Sequence, residues 1–234
     1  TSLMQVLETG KLEQIGCPAN NETVKKNLEK IGPILGEYDL DGFSLEDCFV
    51  YHRSQKDPAI CFCDYCKRNA PTDPDERKMW NRTQLTNMLH EIVKESKKYS
   101  PKLKISAAAR VPYVEHGLAM SADWKEWCNL GLLDYLAPMI YQTDNNRLRA
   151  IAEETLQLIA PSRVPVYIGL GAYLIDRKLI SHDLPNQLAE QIAITRDMKA
   201  HGQVFYHMGG VTVDQWIQME QAYKERAVPP YLKR

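Results

Sequence analysis

The sequence predicts an α/β protein in which helices alternate with short, almost continuously apolar strands. Three observations point to this class. Segments with apolar residues at helical spacing recur along the chain, a short apolar stretch follows each of them, and polar residues collect where these stretches end. Strands that are apolar on both faces are typical of a parallel sheet covered by helices.

The helices come first in each repeat of the pattern. Over 22–37, Val24, Leu28, Ile31 and Leu35 recur at helical spacing, which predicts the first helix. Further helices are predicted at about 75–99, around Trp124 and Trp127, and at about 145–160, 184–200 and 213–226. Five strands are predicted between them, in YDLDGFSLEDC, KLKISAAARV, LLDYLAPMIYQ, VPVYIGLGAY and GQVFYHMGG, and a weaker sixth near Leu12 to Cys17.

We predict a (β/α)8 TIM-barrel type of fold rather than an open doubly wound sheet. A doubly wound sheet would usually carry a phosphate-binding glycine loop, and the nearest stretch, GLGAYL, lacks its third glycine. No organic cofactor is therefore expected. A closed barrel needs eight strands and about 250 residues. We accordingly expect residues 1–234 to form a single partial barrel that lacks its first two or three strands.

The overall charge excludes several classes of partner. Lys plus Arg number 29 and Asp plus Glu number 30, so no strong field would attract nucleic acid or an anionic membrane. No apolar run approaches the roughly 18 residues of a membrane helix, and the N-terminus does not resemble a signal peptide. We expect a cytoplasmic protein, or a periplasmic or secreted one if a signal peptide was removed. The sequence leaves the oligomeric state open.

Polar side chains follow the predicted strands at their C-terminal ends. Glu46 and Asp47 end the first of the five strands, and the others are followed by Arg110, Tyr141, Gln142, Tyr173 and His207. In a (β/α) barrel the active site is built at this rim, so we expect these residues to converge on a common mouth. Arg110, Tyr141, Gln142, Tyr173 and His207 could then bind a ligand by hydrogen bonds, and Trp80 or Tyr113 by ring stacking.

Four separated segments resemble one known family. They are CPANNETVKKNLEKIGPILGEYDLDGFSLEDC, Trp80 with Arg82, DWKEWCNLGLLDYLAPMIYQ and VYIGLGAY. In order and spacing, over about 17–210, they are similar to the bacterial glycosyl-hydrolase-like TIM-barrel family. Its relatives include the hydrolase domain that acts on partly deacetylated poly-N-acetylglucosamine. The resemblance implies hydrolysis of glycosidic bonds in a polysaccharide or oligosaccharide, with a carbohydrate as the partner.

Two more distant resemblances concern the acids. The segment with CPANNETV, LED and CFCDYCKRNA is similar to family 42 β-galactosidases, which implies that Asp47 is the acid/base on the fourth barrel strand. DGFSLED with APMIYQ resembles family 18 chitinases, but Cys48 stands where a chitinase has its catalytic Glu, and Ser44 replaces an Asp. The glycosyl-hydrolase-like family usually has paired Asp residues where this chain has Glu46 and Asp47.

The two neighbouring acids cannot both point inward from a regular strand, because successive side chains alternate between the faces. Gly42 and Ser44 share a face with Glu46, which favours Glu46 as the inward acid. We therefore predict the pair Glu46 and Asp47 jointly as the catalytic acids. Glycoside cleavage commonly uses two separated carboxylates. Asp144 is a local candidate for the second, although TDNN favours a helix N-cap at this position. The other options are an acid on the missing N-terminal strands, attack by the substrate's own acetamido oxygen as in chitinases, or no catalysis.

The cysteines predict a structural metal site. Cys61, Cys63 and Cys66 form a CxCxxC turn that offers three thiolates, which Zn²⁺ prefers. The family 42 resemblance implies Cys17 as the fourth ligand, with Cys48 as an alternative. Such a zinc would pin the loop at about 49–75, which otherwise lacks predicted secondary structure. The other interpretation is that these thiols are free or paired in disulfides, and Cys128 is expected in the core.

Three functions remain open from the sequence. The first is a glycoside hydrolase that uses the Glu46/Asp47 acid. The second is a barrel that binds carbohydrate without turnover, which fits the replaced chitinase acid and the absence of a carboxylate from VPVYIGLGAYLI. The third is a zinc-dependent hydrolase with His52 or His207, which would need an open metal position.

Overall fold

The structure is a computed structural model that describes residues 3–7, 9–46, 49–51, 61–174 and 187–224. It is an α/β fold that divides into two compact units, Thr1–Leu133 and Asp134–Arg234. The described residues form no closed sheet, so the (β/α)8 barrel stays a prediction, as does the single domain. No helix in these ranges has the length and apolar character needed to span a membrane.

The described residues of the first unit form a hairpin, two parallel strands, four α-helices, a π-helical turn (Tyr113–Gly117) and a 3₁₀ turn (Leu118–Met120). Its elements are β1 (Met4–Val6), β2 (Leu12–Gly16), α1 (Asn21–Glu37), β3 (Gly42–Leu45), α2 (Asp64–Asn69), α3 (Pro74–Tyr99), β4 (Lys104–Ala109) and α4 (Trp124–Asn129). The α1, α3 and α4 helices and the β3 and β4 strands lie where the sequence predicts them. Strand β1 was not predicted.

The β1–β2 hairpin departs from the predicted all-parallel arrangement. Met4 pairs with Gly16 and Val6 with Leu12 in antiparallel register. The connecting turn places Gly10 at φ +82°, a left-handed conformation that glycine adopts without strain. β2 therefore pairs with β1, a strand that lies close to it in the sequence.

Helix α3 is the long packing element of the first unit. Asp73 caps it, since its carboxylate accepts the N–H groups of Asp75 and Glu76, and Pro74 occupies the first turn. Its buried face includes Leu85, Leu89 and Ile92 and agrees with the predicted spacing. The prediction that 49–75 lacks secondary structure is wrong, because α2 occupies 64–69 within it.

Parallel pairing positions the strand ends. β3 pairs with β4 in regular register from Gly42 opposite Lys104 to Leu45 opposite Ala107. Because the two strands run in the same direction, the residues that follow them emerge at the same edge. Ile105, Ala107 and Ala109 of β4 are buried, as expected for a strand covered by helices.

The second unit repeats the same strand–helix pattern. Its elements are β5 (Tyr135–Pro138), α5 (Asn145–Ile159), β6 (Tyr167–Gly171), α6 (Gln187–Asp197), β7 (Gly202–Tyr206) and α7 (Val213–Ala222). β6 pairs with β7 in parallel from Tyr167 opposite Gly202 to Gly171 opposite Tyr206. Parallel bridges join Leu136 to Val166 and Met139 to Gly169, which places the β5 segment beside β6. The core includes Leu136, Leu148, Ile168, Leu170 and Ile192.

Candidate functional site

Glu46 lies directly after β3, at the edge predicted for the site. Its side chain is exposed and lines two cavities, a larger one of about 330 Å³ and a much smaller one. Ser44, which shares its face of the strand, is also exposed and lines the larger cavity. Asp47 and Cys48 lie outside the described residues, so the choice between the two acids stays a prediction.

Arg110 follows β4 and meets Glu46 at the smaller cavity. Both residues line this cavity, together with Phe49, Trp124 and Trp127. The carbonyl of Arg110 accepts a hydrogen bond from the indole N–H of Trp124 at 3.0 Å, which holds the backbone at the end of the strand. The parallel pairing of β3 with β4 thus brings Glu46 and Arg110 to the lining of one small cavity.

The two aromatic residues suggested for ring stacking have other neighbours. The Tyr113 hydroxyl donates to the Asp123 carboxylate at 2.5 Å, and its ring meets Trp124 edge-on at 4.6 Å. Burial, followed by the bond to Asp123, raises the pKa of Tyr113. Trp80 lies on α3, half-buried, with the Arg77 guanidinium 5.6 Å from its ring centroid. Tyr113 is thus engaged in packing, and a ligand role for Trp80 stays a prediction.

The strand ends of the second unit carry four rings that contact one another. We call Tyr141, Tyr173, Tyr206 and His207 the aromatic cluster. The Tyr141 ring stacks on Tyr206 with centroids 5.6 Å apart and planes inclined by 18°. Tyr173 meets Tyr206 edge-on at 5.7 Å and stacks with His207 at 6.2 Å. Tyr206 is 51% exposed and His207 is exposed, so the cluster offers ring surface to solvent.

The sequence analysis missed Tyr206, although it named the other three rings. The available signal was its position as the last residue of β7, directly before His207. A close backbone approach helps to hold the cluster, since a Cβ added to Gly210 would lie 2.8 Å from the Tyr173 Cβ. The short turn after His207 can therefore pack against Tyr173 only because residue 210 is glycine.

Buried glutamines hold the backbone next to the cluster. The side-chain amide of Gln191 donates to the Gln142 carbonyl at 2.8 Å, and that of Gln187 donates to the Thr143 carbonyl. The Gln142 side chain itself is half-buried. Asp144 caps α5, with its carboxylate accepting the N–H groups of residues 146 and 147 at 2.7 and 3.0 Å. The N-cap interpretation of Asp144 is confirmed.

Glu46 and Arg110 belong to the first unit, and the aromatic cluster belongs to the second. The structure brings together residues within each set. The expectation that all of them share one mouth stays a prediction.

Four cysteines of the first unit form a candidate metal centre. The sulfur atoms of Cys17, Cys61, Cys63 and Cys66 all lie within 4.8 Å of one another, and all four residues are buried. The Cys17 sulfur is 3.4 Å from that of Cys66 and 3.7 Å from that of Cys63, and the thiols are free. Four thiolates around Zn²⁺ at about 2.3 Å would be separated by about 3.8 Å. The cluster therefore fits a tetrahedral thiolate-bound metal.

The electrostatics of the cluster show why a cation suits it. Hydrogen bonds from the thiols of Cys17 and Cys66 lower the pKa of Cys61. The hydrogen bond with Cys61 is the main cause that raises the pKa of Cys17. The hydrogen bond with Cys17 is the main cause that raises the pKa of Cys66. Without a cation, one thiolate forms at the expense of its neighbours, because like charges repel. A divalent metal would allow the thiols to ionise together.

Contacts from several elements hold the cluster in place. The Val6 N–H points to the Cys61 sulfur at 3.4 Å, and the Phe62 N–H donates to the Val6 carbonyl at 2.7 Å. Arg77 of α3 donates to the Cys61 carbonyl at 2.8 Å. Cys17 follows β2 directly. The cluster thereby joins the hairpin to the start of α3, and its four sulfurs leave no ligand position for water in a tetrahedral site.

Cys128 is separate from this cluster and behaves as a core residue. It is 2% exposed, and burial raises its pKa to about 12. The prediction that it belongs to the core is confirmed. Cys48, the alternative fourth ligand, and His52 lie outside the described residues.

Ligands of α/β proteins bind outside the carboxyl ends of the parallel strands, which is where these acidic, basic and aromatic residues lie. The chain belongs to the glycosyl hydrolase-like 10 family, whose model matches residues 18–185. This agrees with the family indicated by the sequence segments.

One similar protein agrees with this family assignment. The chain is similar to "Glycosyl hydrolase YngK" of Bacillus subtilis (strain 168), with 24% identity over 202 residues. The match covers 79% of this chain but 39% of the relative. The chain thus spans well under half the length of that protein.

Solved structures share the fold at low sequence identity. One is a chitinase from Chromobacterium violaceum ATCC 12472, with 11% identity, a TM-score of 0.51 and coverage of 94% of this chain and 78% of that one. Another is bee venom hyaluronidase, with 14% identity, a TM-score of 0.54 and coverage of 99% and 84%. The same hyaluronidase in complex with a hyaluronic acid tetramer gives a TM-score of 0.52, 14% identity and coverage of 99% and 83%.

Proposed function

We propose that the protein is a glycoside hydrolase that cleaves a polysaccharide or oligosaccharide. One carboxyl group of the pair Glu46 and Asp47 would be the general acid/base. Membership of the glycosyl hydrolase-like 10 family is the observation that carries this proposal. Glu46 supports it, because its carboxylate stands exposed at the end of a parallel strand. The likeness to a chitinase and a hyaluronidase supports it as well, since both are enzymes that break down carbohydrates.

The proposed chemistry assigns a role to each group of the first unit. A protonated carboxyl of the pair donates its proton to the glycosidic oxygen as the bond to the sugar breaks. In a retaining mechanism a second group would hold the sugar covalently, and the same carboxylate, now ionised, would take a proton from the water that releases it. In an inverting mechanism a second carboxylate would take the proton from the attacking water. Arg110, which lines the small cavity with Glu46, would hold a sugar hydroxyl or ring oxygen by hydrogen bonds. The second carboxylate is not assigned.

The aromatic cluster would bind sugar rings. Tyr206 and His207 are exposed, and the apolar face of a pyranose packs well on an aromatic ring. The carbonyls of Gln142 and Thr143, directly after Tyr141, accept hydrogen bonds from buried glutamines of α6, which favours a fixed binding surface over a mobile one. We assign Tyr141, Gln142, Tyr173 and His207 to substrate binding, with Tyr206 as an addition.

We further propose that the strands belong to a (β/α)8 barrel. The parallel pairs β3–β4 and β6–β7, each separated by helices, support this. The family assignment and the likeness to the two glycosidases are consistent with it. The alternation of strand and helix is the pattern that a barrel of this type requires.

For the cysteine cluster we propose a structural Zn²⁺ held by Cys17, Cys61, Cys63 and Cys66. A tetrathiolate site lacks an open position for water, so the metal would supply stability and no catalytic chemistry. This argues against the zinc-dependent hydrolase. Its role would be to fasten the β1–β2 hairpin to the segment before α3.

Hydrolysis tests the main proposal. The full-length protein is incubated with a panel of oligosaccharides, including chitin, hyaluronan and partly deacetylated poly-N-acetylglucosamine fragments, and released reducing ends are measured. Glu46→Gln and Asp47→Asn should each lower the rate, one of them by at least a hundredfold. Glu37→Gln, which changes an exposed acid at the end of α1, serves as the matched control. Full activity in both acid variants would disprove the assignment.

The second candidate function is carbohydrate binding without turnover. It is favoured by β6, whose residues Tyr167–Gly171 contain no carboxylate, and by an exposed aromatic cluster that contains none either. Saturable binding of an oligosaccharide from the panel by calorimetry, with no release of reducing ends over a day, would establish this function in place of hydrolysis.

A further inference from the structure

A cavity of about 330 Å³ in the first unit lies beside Glu46 and has mainly apolar walls. Residues from four elements form it. Strand β2, helix α1, strand β3 and helix α3 contribute Ile15, Ile31, Leu45, Leu85, Met88 and Ile92. The polar side chains among its lining residues are those of Gln14, Asn27, Ser44 and Glu46.

The size of the cavity suits a small organic group. Cavities of about 150 Å³ with Leu, Ile and Phe walls bind benzene. Twice that volume accommodates an aromatic bicycle or a ring with a short chain, and the cavity lies in the usual range for small-molecule sites. The space exceeds what packing defects in a close-packed core leave.

The chemistry of the walls selects an apolar occupant over a sugar ring. Each sugar hydroxyl that is buried without a hydrogen bond costs about 1–3 kcal/mol. A pyranose carries several hydroxyls, and the aliphatic side chains of Ile31, Leu85 and Met88 offer them no partner. An apolar group gains from the same walls, at about 25 cal/mol per Å² buried.

Glu46 links this cavity to the proposed chemistry. It lines the apolar cavity and also the small cavity that it shares with Arg110. The small cavity cannot hold a sugar ring, whereas the Glu46 side chain is exposed to solvent. A ligand with its apolar group at the Ile31 side and its sugar on the solvent side of Glu46 would therefore have its connecting bond next to this carboxylate. In a glycoside that bond is the one to the aglycone.

We propose that this cavity binds an apolar aglycone, aromatic or short alkyl, of the glycoside that the protein cleaves. The inference rests on the proposed function and narrows it, because it makes the leaving group of the preferred substrate an apolar group and not another sugar of a polysaccharide. A preference for aryl or alkyl glycosides over unsubstituted sugars at the same site is the direct consequence.

Binding of a free aglycone tests the cavity separately from catalysis. The probe is 4-methylumbelliferone, titrated into the full-length protein at pH 6 and followed by calorimetry. Met88→Trp and Ile31→Trp fill the cavity and should weaken binding at least tenfold. Met79→Trp adds the same bulk to α3 at a side chain that is 60% exposed and is not among the cavity lining residues, and it should bind within twofold of the native protein.

A measurement on the native protein covers the case in which the filled variants do not fold. With ¹³C-methyl-methionine labelling, the Met88 methyl should show nuclear Overhauser contacts to the probe, and the Met79 methyl should not. Contacts at Met88 support the proposal. Absence of saturable binding, or binding that leaves the Met88 resonance unchanged, would overturn it.

Hydrolysis of 4-methylumbelliferyl and methyl glycosides of the same sugars separates the two proposals. Cleavage of glycosides by a protein that does not bind the free probe rejects the aglycone cavity and leaves the hydrolase intact. Probe binding at Met88 with no glycoside cleaved rejects the hydrolase and, with it, the assignment of the occupant as an aglycone. Probe binding with a lower KM for the 4-methylumbelliferyl glycosides supports both.

Discussion

Tyr206 completes the aromatic cluster, and its position at the end of β7, directly before His207, was the signal for it in the sequence. Its ring stacks on Tyr141 and meets Tyr173 and His207 edge-on, while 51% of the residue stays exposed. Tyr206 thus packs against its neighbours, and about half of the residue remains accessible to a ligand. Arg77 has a comparable supporting role in the first unit, because it contacts the carbonyls of Cys61 and Pro71 and offers no metal ligand.

Tyr206→Ala should weaken oligosaccharide binding about fivefold, because an aromatic contact contributes roughly 0.5–1.5 kcal/mol. Tyr206→Phe should retain affinity, since stacking does not need the hydroxyl. Calorimetry with a ligand found in the hydrolysis panel measures both. Tyr38→Ala removes a ring that is 58% exposed at the end of α1 and is the matched control. Equal affinity for the Tyr206→Ala and native proteins would contradict a stacking role.

Arg77→Met should lower the affinity of the cysteine cluster for Zn²⁺ about tenfold, because groups that orient metal ligands typically contribute a factor of ten or more. A competition titration against a chromophoric chelator measures the affinity, and the charge-transfer bands of the Co²⁺ form report the sulfur geometry. Arg68→Met, at an exposed position of α2, should leave both unchanged. If Arg77→Met binds zinc as tightly as the native protein, the arginine does not position the cluster.

At the scale of elements, caps and turns explain where helices begin and where strands pair. Asp73, Asp144 and Thr212 each accept backbone N–H groups at the start of a helix, and Thr212 forms a full capping box with Gln215. Two elements escaped prediction. β1 has three residues, too few for a periodic pattern to be seen. α2 has six residues, as does the predicted α4, but DYCKRN lacks the tryptophans at helical spacing that indicated α4.

Asp144→Ala should reduce the free energy of unfolding by about 1 kcal/mol, because two N–H groups of α5 lose their acceptor. Asp144→Asn should keep most of the stability, since an amide oxygen also accepts these bonds. Urea denaturation gives both values. Hydrolysis by the two variants should remain near the native rate. A large loss of rate in a folded Asp144→Asn variant would instead make this residue the missing second carboxylate.

At the scale of the whole molecule, the cysteine cluster connects segments of the first unit that are far apart in the sequence. Cys17 follows the hairpin, and Cys61, Cys63 and Cys66 surround the start of α2. Gln5 reinforces the same junction, because its side-chain amide donates to the carbonyls of Gly16 and Val50 at 3.1 Å each. Gly16 and Val50 also line the apolar cavity, so the junction helps to shape its wall.

Metal removal should therefore destabilise the protein as a whole. We expect one Zn²⁺ per chain by elemental analysis of the purified protein, and a melting temperature that falls by several degrees on chelation and recovers on adding Zn²⁺. Binding displaces protons from the thiols, so affinity should fall as pH is lowered. Cys66→Ser should abolish the metal, whereas Cys128→Ala, which changes a core thiol outside the cluster, should retain it. A metal-free native protein with an unchanged melting curve would contradict the structural role.

The sequence by itself determined the alternation of strands and helices, the position of polar residues after the strands and the CxCxxC turn, because these are patterns among residues close in the chain. The family was also readable from short segments. The tertiary structure decided that Cys17 joins the other three thiols, that β2 pairs with β1, that Tyr206 completes the rings, and that an apolar cavity opens beside Glu46. Apart from the β1–β2 hairpin, whose first strand is too short to be seen as a pattern, these features depend on distances between residues far apart in sequence, and packing sets such distances.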